Sequence, residues 1–426
     1  MNARARYMLA GLVVLLLLNA AAFAAEPRLS AVASSVRQPS RLARSSLLAQ
    51  LSKQVTLEGF YYDGSVPMLV ESMADVQGNL PIPPDKYVPL LGSLPTSFKS
   101  GAKVRVSGQV EKPTGEELSG EAAVIRVRAA SQGTLLQAPV SALAGLAGQV
   151  VAVSPAAASA PPGGKRYALL IGGGKDPANN HVRYWNNLWQ MYHILISAGY
   201  APGDIRVAYA YGAPRTAGMP VQFPATMPGI AAAFSYFVPK VKAEDTFYLM
   251  VSGQGLTPSG AAPASAYFPW LGAPIPPPMF AAQVNRIMSY KRMVVEMGQS
   301  FSGAFIPYLR NPKRVVITAS AANRDSWAHP SLMYDNFECW YLSALASHFL
   351  LGGAALSADA NHNGRVSTTE AYDFALPRPG GPSAGGTTIP PIAAQMPQFE
   401  DTGTPPSRWG PVPAAGEGIL GADTSL

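Results

Sequence analysis

Between Val55 and Ala129 apolar and polar residues alternate in short runs. VTLEGFYY (55–62), MLVESM (68–73), AKVRVSGQVE (102–111) and AAVIRVRA (122–129) read as strands, with Gly, Pro and Asp turns between them. In VRVSGQVE the alternation passes over a Gly, as a sharply curved strand requires. Residues 55–130 are therefore read as a small all-β barrel domain of the OB type, with an SH3-like barrel or a small sandwich as the alternatives. A Pro/Ala/Gly linker, 131–164, follows and ends in VSPAAASAPPGGK.

The pattern then changes period. KRYALLIGGG is an apolar run stopped by glycines, a buried strand, and WNNLWQMYHILISAGY is an amphipathic helix ended by Gly199. The alternation continues with DIRVAYAY, MPGIAAAFSYFVPKV, DTFYLMVSGQG, PMFAAQVNRIMSY, RMVVEMGQS, SGAFIPYL, RVVITAS and the long helix LMYDNFECWYLSALASHFL. Strands and helices in turn predict an α/β domain over 165–376, a mostly parallel sheet flanked by helices on both faces. Reactive loops in such sheets sit at the carboxyl ends of the strands. Residues 377–426 are Pro/Gly-rich and are read as a tail lying over the surface or disordered.

Composition sharpens this picture in three respects. The chain has 426 residues, 48% of them hydrophobic, enough for two cores, while charged residues make up only 13%. The net charge of +7 is scattered, with no Lys/Arg run able to track phosphates, so no nucleic-acid partner is indicated. Residues 1–25 combine a basic start (Arg4, Arg6), an apolar core (Met8–Leu18) and the small-residue exit Ala22-Phe23-Ala24. That is the form of a secretory signal peptide. It implies export to the periplasm, envelope or exterior, a mobile leader over 26–54, and no membrane span after cleavage. Cys339, the only cysteine, lies in an apolar helical stretch and is read as buried filler.

Two strand ends carry the candidate chemistry. Ser252-Gly253-Gln254-Gly255 and Gly298-Gln299-Ser300-Phe301-Ser302-Gly303 each set polar residues beside glycines. If these strands are neighbours, Gln254 and Ser300 face each other across a cleft. Backbone N–H groups at Gly255 and at the helix mouth near Ser300 then form a site for an anionic oxygen. A nucleophilic Ser needs a base, and the Gln254 amide takes up no proton near neutral pH.

From Arg166 to about Asp401 the order of these motifs resembles the legumain-like branch of the caspase-fold cysteine peptidases. In that family one strand ends in Ser/Thr-Gly-His-Gly and the next in Gln-Cys-x-Ser-Gly-Gly-Phe, where this chain has SGQG and QSFSGAF. YALLIGGG resembles the first strand, NNHVRYWNNL the loop after it, VVITASAANRDSW the segment after the catalytic strand, and MPQFEDTG a closing motif. The resemblance implies a caspase-like sheet and makes Gln254 and Ser300 the degenerate positions of the catalytic His and Cys. It also puts Arg183 in a substrate pocket, with Gly255 and Ser302 beside it. With thiol and imidazole both replaced, no catalytic pair is intact. His181 and His329 are the fallback bases, and His193 is read as a core residue.

Asp359-Ala-Asn361-His-Asn363-Gly364-Arg365-Val-Ser367-Thr-Thr-Glu370 fits the twelve positions of an EF-hand loop. Side-chain oxygens come from Asp359, Asn361, Asn363, Ser367 and Glu370, and the backbone carbonyl from Arg365. The expectation is a weak structural calcium site, with an Asx-rich turn holding no metal as the alternative.

Three functions follow as expectations. The first is an exported, catalytically inactive peptidase relative that binds a peptide or protein, or acts as a scaffold. The second is a hydrolase using Ser300 with a relocated His181 or His329. The third is a structural or adhesive envelope protein in which the cleft plays no part.

Overall fold

The computed structural model describes residues 47–64, 66–83, 85–112, 123–137, 164–256, 265–382, 388–401 and 424–426. The signal peptide, most of the leader, most of the linker and much of the tail lie outside these described residues.

Strands β1 (Gln54–Asp63), β2 (Pro67–Val70), β3 (Tyr87–Gly92), β4 (Lys103–Glu111) and β5 (Val124–Val127) run in the order β1-β2-β3-β5-β4, and β4 pairs back onto β1. This closes a five-stranded OB-like barrel, in which β3 and β5 are parallel and the other pairs antiparallel. The interior is filled by Val55, Leu57, Leu69, Val88, Leu90, Val104, Val106, Val110 and Ile125. Strand β3, centred on Pro89, was not legible as a strand because proline interrupts the alternation. Strand β6 (Gly133–Gln137) adds to β4 outside the closed ring. Gly108 lets β4 cross β5 closely, since a Cβ there would lie 2.5 Å from Ile125 Cγ2 and 2.6 Å from Arg126 O.

The larger domain has one sheet in the order β14-β11-β10-β9-β7-β8. Strands β7 (Arg166–Gly173), β8 (Ile205–Tyr209), β9 (Thr246–Gly253), β10 (Arg292–Met297) and β11 (Arg314–Thr318) are parallel, and β14 (Gln398–Glu400) is antiparallel to β11. The short pair β12 (Gly381–Pro382) and β13 (Thr388–Ile389) stands apart. Helices α2 (Val182–Ser197), α6 (Asn336–Ala346) and α7 (Thr368–Ala375) pack on one face; α3 (Met227–Phe237) and α4 (Pro277–Val284) pack on the other. The β10 pattern, with Met293, Val294, Val295, Glu296 and Met297 all buried, is that of a strand covered on both faces.

Two sequence readings change here. The Pro/Gly-rich composition after Leu376 concealed β14: Phe399 enters the core and Glu400 pairs with Arg310. The helix read from Leu332 onward begins only at Asn336, because Leu332 takes a left-handed conformation (φ 61°) and Ala328 bridges back to Asp335. Among the described residues no helix is long and apolar enough to cross a membrane.

The barrel rests on the α/β domain through an apolar joint. Tyr62, Met68, Val70, Met73, Val76 and Ile82 pack with Ala178, Ala328 and Leu332. From this joint the short helix α1 (Ala74–Gln77) directs the chain toward the carboxyl ends of β7, β9 and β10.

The tight β4–β5 crossing makes Gly108→Ala an overpacking change. Chemical denaturation is expected to show a loss of about 1–3 kcal/mol, and unchanged stability would contradict the crossing.

Candidate functional site

Strands β9 and β10 are adjacent and parallel, with Val251 opposite Met297, so the loops bearing Gln254 and Ser300 stand side by side. They touch: a Cβ on Gly255 would lie 2.1 Å from the Ser300 carbonyl oxygen, and only glycine allows this approach. The two loops are in contact where the sequence reading set a cleft between them. Over them lies the barrel's own segment Gln77-Gly78-Asn79-Leu80, bonded to the ends of both the β9 loop and the Ser326–Ala328 stretch.

That segment runs antiparallel to Ser326–Ala328. Asn79 N donates to Ser326 O (3.1 Å), Ala328 N donates to Gln77 O (2.7 Å), and Gly78 bridges Trp327. The Asn79 carbonyl accepts from Gly255 N at 3.0 Å, the N–H assigned from the sequence to an anionic oxygen. The next carbonyl, Leu80 O, accepts from Gln254 Nε2 at 3.0 Å. Gln254 Nε2 also donates to Asn179 Oδ1 (3.3 Å), and Gln254 Oε1 accepts from Lys175 N (3.2 Å). Asn179 Oδ1 takes a further bond from Ile82 N at 2.7 Å, so the loop after β7 clasps the segment from its other side.

The Asn79 side chain enters a pocket floored by Arg183. Its Oδ1 accepts from Arg183 Nε (3.0 Å), Arg183 Nη2 (2.9 Å) and the Tyr184 hydroxyl (3.1 Å). Its Nδ2 donates to Ser326 Oγ at 2.7 Å. Arg183 is fully buried, lies 2.8 Å from Asp335 Oδ1, and donates to the Val76 and Gly78 carbonyls at 2.8 and 3.1 Å. Asp335 Oδ2 accepts from Asn187 Nδ2 at 2.7 Å. Asn79, Ser326, Asp335 and Asn187 were not identified from the sequence. Asp335 reads there as part of a helix, and no local pattern marks either it or Asn79 as a partner of Arg183, more than a hundred positions away in each case.

Ser300 is not at an exposed corner. It is buried, its Oγ accepts from Ser326 N (2.9 Å) and donates to Ser326 O (3.4 Å). Ser302 is equally buried and its Oγ contacts Ser320, at 3.3 Å to both the carbonyl and the hydroxyl. Neither fallback imidazole is a hydrogen-bond partner of Ser300. His181 packs its ring against Tyr62 and Tyr184, and burial holds its pKa well below the usual range. His329 Nδ1 faces Ser331 Oγ at 2.9 Å, its ring lies against Trp340 and Phe349, and burial lowers its pKa to about 4. His193, half-buried, faces the Trp189 carbonyl at 2.8 Å. Cys339 is buried in α6, and burial pushes its thiol far up. Among the described residues there is no Cys–His pair at the strand ends and no cluster of three or more His, Cys, Asp or Glu able to hold a metal.

Beneath the cleft lie two further buried carboxyls. Glu296 accepts from the Tyr248 hydroxyl at 2.6 Å, and burial raises its pKa to about 7. Burial also raises Glu338, reinforced by the nearby Asp335 and Glu296. In the 359–370 loop, Asp359 accepts from Asn363 N and Gly364 N, while Asn363 Oδ1 accepts from Arg365 N. Glu370 is bonded through Oε1 to Ala360 N and Asn361 N, and through Oε2 to Ser367 N and Oγ. Glu370 belongs to a capping box with Ser367.

No family model matches the chain, and no curated protein matches it. Among solved structures, it is similar to the crystal structure of protein GSU0716 from Geobacter sulfurreducens. The identity is 15% and the TM-score 0.38, over 57% of this chain and 95% of that one.

Raising a carboxyl's pKa on folding stabilises the fold at low pH, and the advantage fades as pH rises through the folded value. For Glu296 the window runs from about 4.5 to about 7. Glu296→Gln is expected to gain stability over the parent across that window, by about 1–3 kcal/mol at pH 8. A pH-independent difference in urea denaturation would contradict the buried neutral carboxyl.

Proposed function

We propose that this chain is an exported, catalytically silent relative of the legumain-like peptidases, with a caspase-like α/β domain whose cleft binds a peptide segment without cutting it. The observation that carries this reading is the state of the two degenerate positions. The Ser300 hydroxyl is bonded to the Ser326 backbone, and the Gln254 amide to the Leu80 carbonyl. Neither has a partner that can accept a proton at neutral pH. The binding features remain beside them: Gly255 N on a peptide carbonyl, a pairing edge at Ser326–Ala328, and a buried Arg183 on a carboxamide. Filling the cleft with the barrel's own segment favours the scaffold form of this function, in which the former substrate site joins two domains. Export is carried by residues 1–25 alone.

A calcium ion in the 359–370 loop would be a structural addition to this scaffold. Asp359, Asn361, Asn363, Ser367, Glu370 and the Arg365 carbonyl are the donors. Glu370 has both oxygens on N–H and O–H donors of the same loop, so binding requires it to exchange those bonds for the metal. The expected affinity is accordingly in the range of extracellular modules, about 10⁻⁴–10⁻³ M.

The catalytic reading is tested with a fluorophosphonate probe on the purified chain. No labelling is expected, whereas labelling lost in Ser300→Ala would overturn the proposal. Calorimetric titration with calcium is expected to give one weak site that Glu370→Gln removes. Saturable binding unchanged by that substitution would place the metal elsewhere.

A further inference from the structure

We infer that the ligand of this cleft is the chain's own Gln77–Leu80, held in cis by a pocket that reads the Asn79 carboxamide at both ends and refuses a carboxylate. The inference rests on the binding reading of the cleft given above and names its occupant.

The discrimination follows from which groups can donate. Arg183 and the Tyr184 hydroxyl donate to Oδ1, so that end must be an acceptor. At the other end Ser326 Oγ donates its proton to Gly298 O at 2.8 Å. Its remaining capacity is as an acceptor, and it meets Asn79 Nδ2 at 2.7 Å. An aspartate at residue 79 would press an anionic oxygen against the acceptor face of Ser326 Oγ. Arg183 offers no net compensation, because Asp335 already matches its charge at 2.8 Å.

The backbone is read as well. Asn79 N and O, Leu80 O and Gln77 O are all bonded to cleft groups, and Asn79 and Gln77 are completely buried. A peptide from a partner would need the same N–H and C=O groups of Gly255, Ser326 and Ala328. The cis segment therefore excludes it, and the barrel is held to the α/β domain by the contacts a bound peptide would make.

Two measurements on the full chain decide this. In wild-type protein, hydrogen exchange of residues 77–80 is expected to be as slow as that of β9; exchange at the rate of an exposed loop would overturn cis occupancy. Thermal unfolding is expected to rank wild type above Asn79→Ala and Asn79→Ala above Asn79→Asp, the alanine variant falling by about 5–10 °C. A merely space-filling Asn79 would give the reverse order for the two variants, since aspartate keeps the shape. An aspartate variant melting at or above the alanine variant overturns the carboxamide reading. If neither variant folds, the wild-type exchange measurement alone decides. Fluorophosphonate reactivity of Ser300 would end the silent-enzyme reading without altering either result, so the two failures are distinguishable.

Discussion

A guanidinium with no access to water organises this molecule. Removing such a cation from solvent costs several kcal/mol unless its charge and its donors are all matched. In this chain no single domain does so. The α/β domain provides Asp335 and Tyr184, whereas the barrel provides Asn79 and the Val76 and Gly78 carbonyls. Arg183 thus couples the domains: separating them would leave it and Asp335 facing an empty cleft. The apolar joint of Tyr62, Met68, Val76 and Ile82 adds area, but the polar pocket fixes the register. A shift of one residue along the segment would move Asn79 off its partners and turn its side chain to the other face.

The same arrangement satisfies the polar side chains at the ends of β9 and β10. Gln254 is bonded to the Leu80 carbonyl and Gly255 N to the Asn79 carbonyl, while Ser300 is bonded to Ser326, the residue that pairs with Asn79. A hydroxyl held between Ser326 N and O is well satisfied as it is. The imidazoles of His181 and His329 are in aromatic surroundings, and burial lowers their proton affinity.

Much of the architecture was legible because it rests on periodicity. The buried runs of β7, β9, β10 and β11 and the turn glycines that end them predicted the parallel sheet, and the Val alternation in β4 predicted the curved barrel strand. β3 escaped because Pro89 hides a strand, and β14 because three residues in a Pro/Gly-rich stretch carry no period. At the site, Arg183, Gly255, Gln254 and Ser300 were visible through motif order. Their partners were not: Asn79 reaches Arg183 across 104 positions and Asn187 reaches Asp335 across 148. Local pattern has no means of encoding pairings at that separation. The occupant of the cleft is a property of domain docking, and only the folded chain reveals it.

The most direct measurement of the central claim uses intact-mass analysis of a chain carrying Gln254→His and Ser300→Cys together. With thiol and imidazole restored beside the clasped segment, the account predicts a single slow cut between Asn79 and Leu80, lost when Asn79→Ala is added. Hydrolysis of added Asn peptides with the 79–80 bond left intact would contradict it, since the cleft would then be open to ligands from outside the chain.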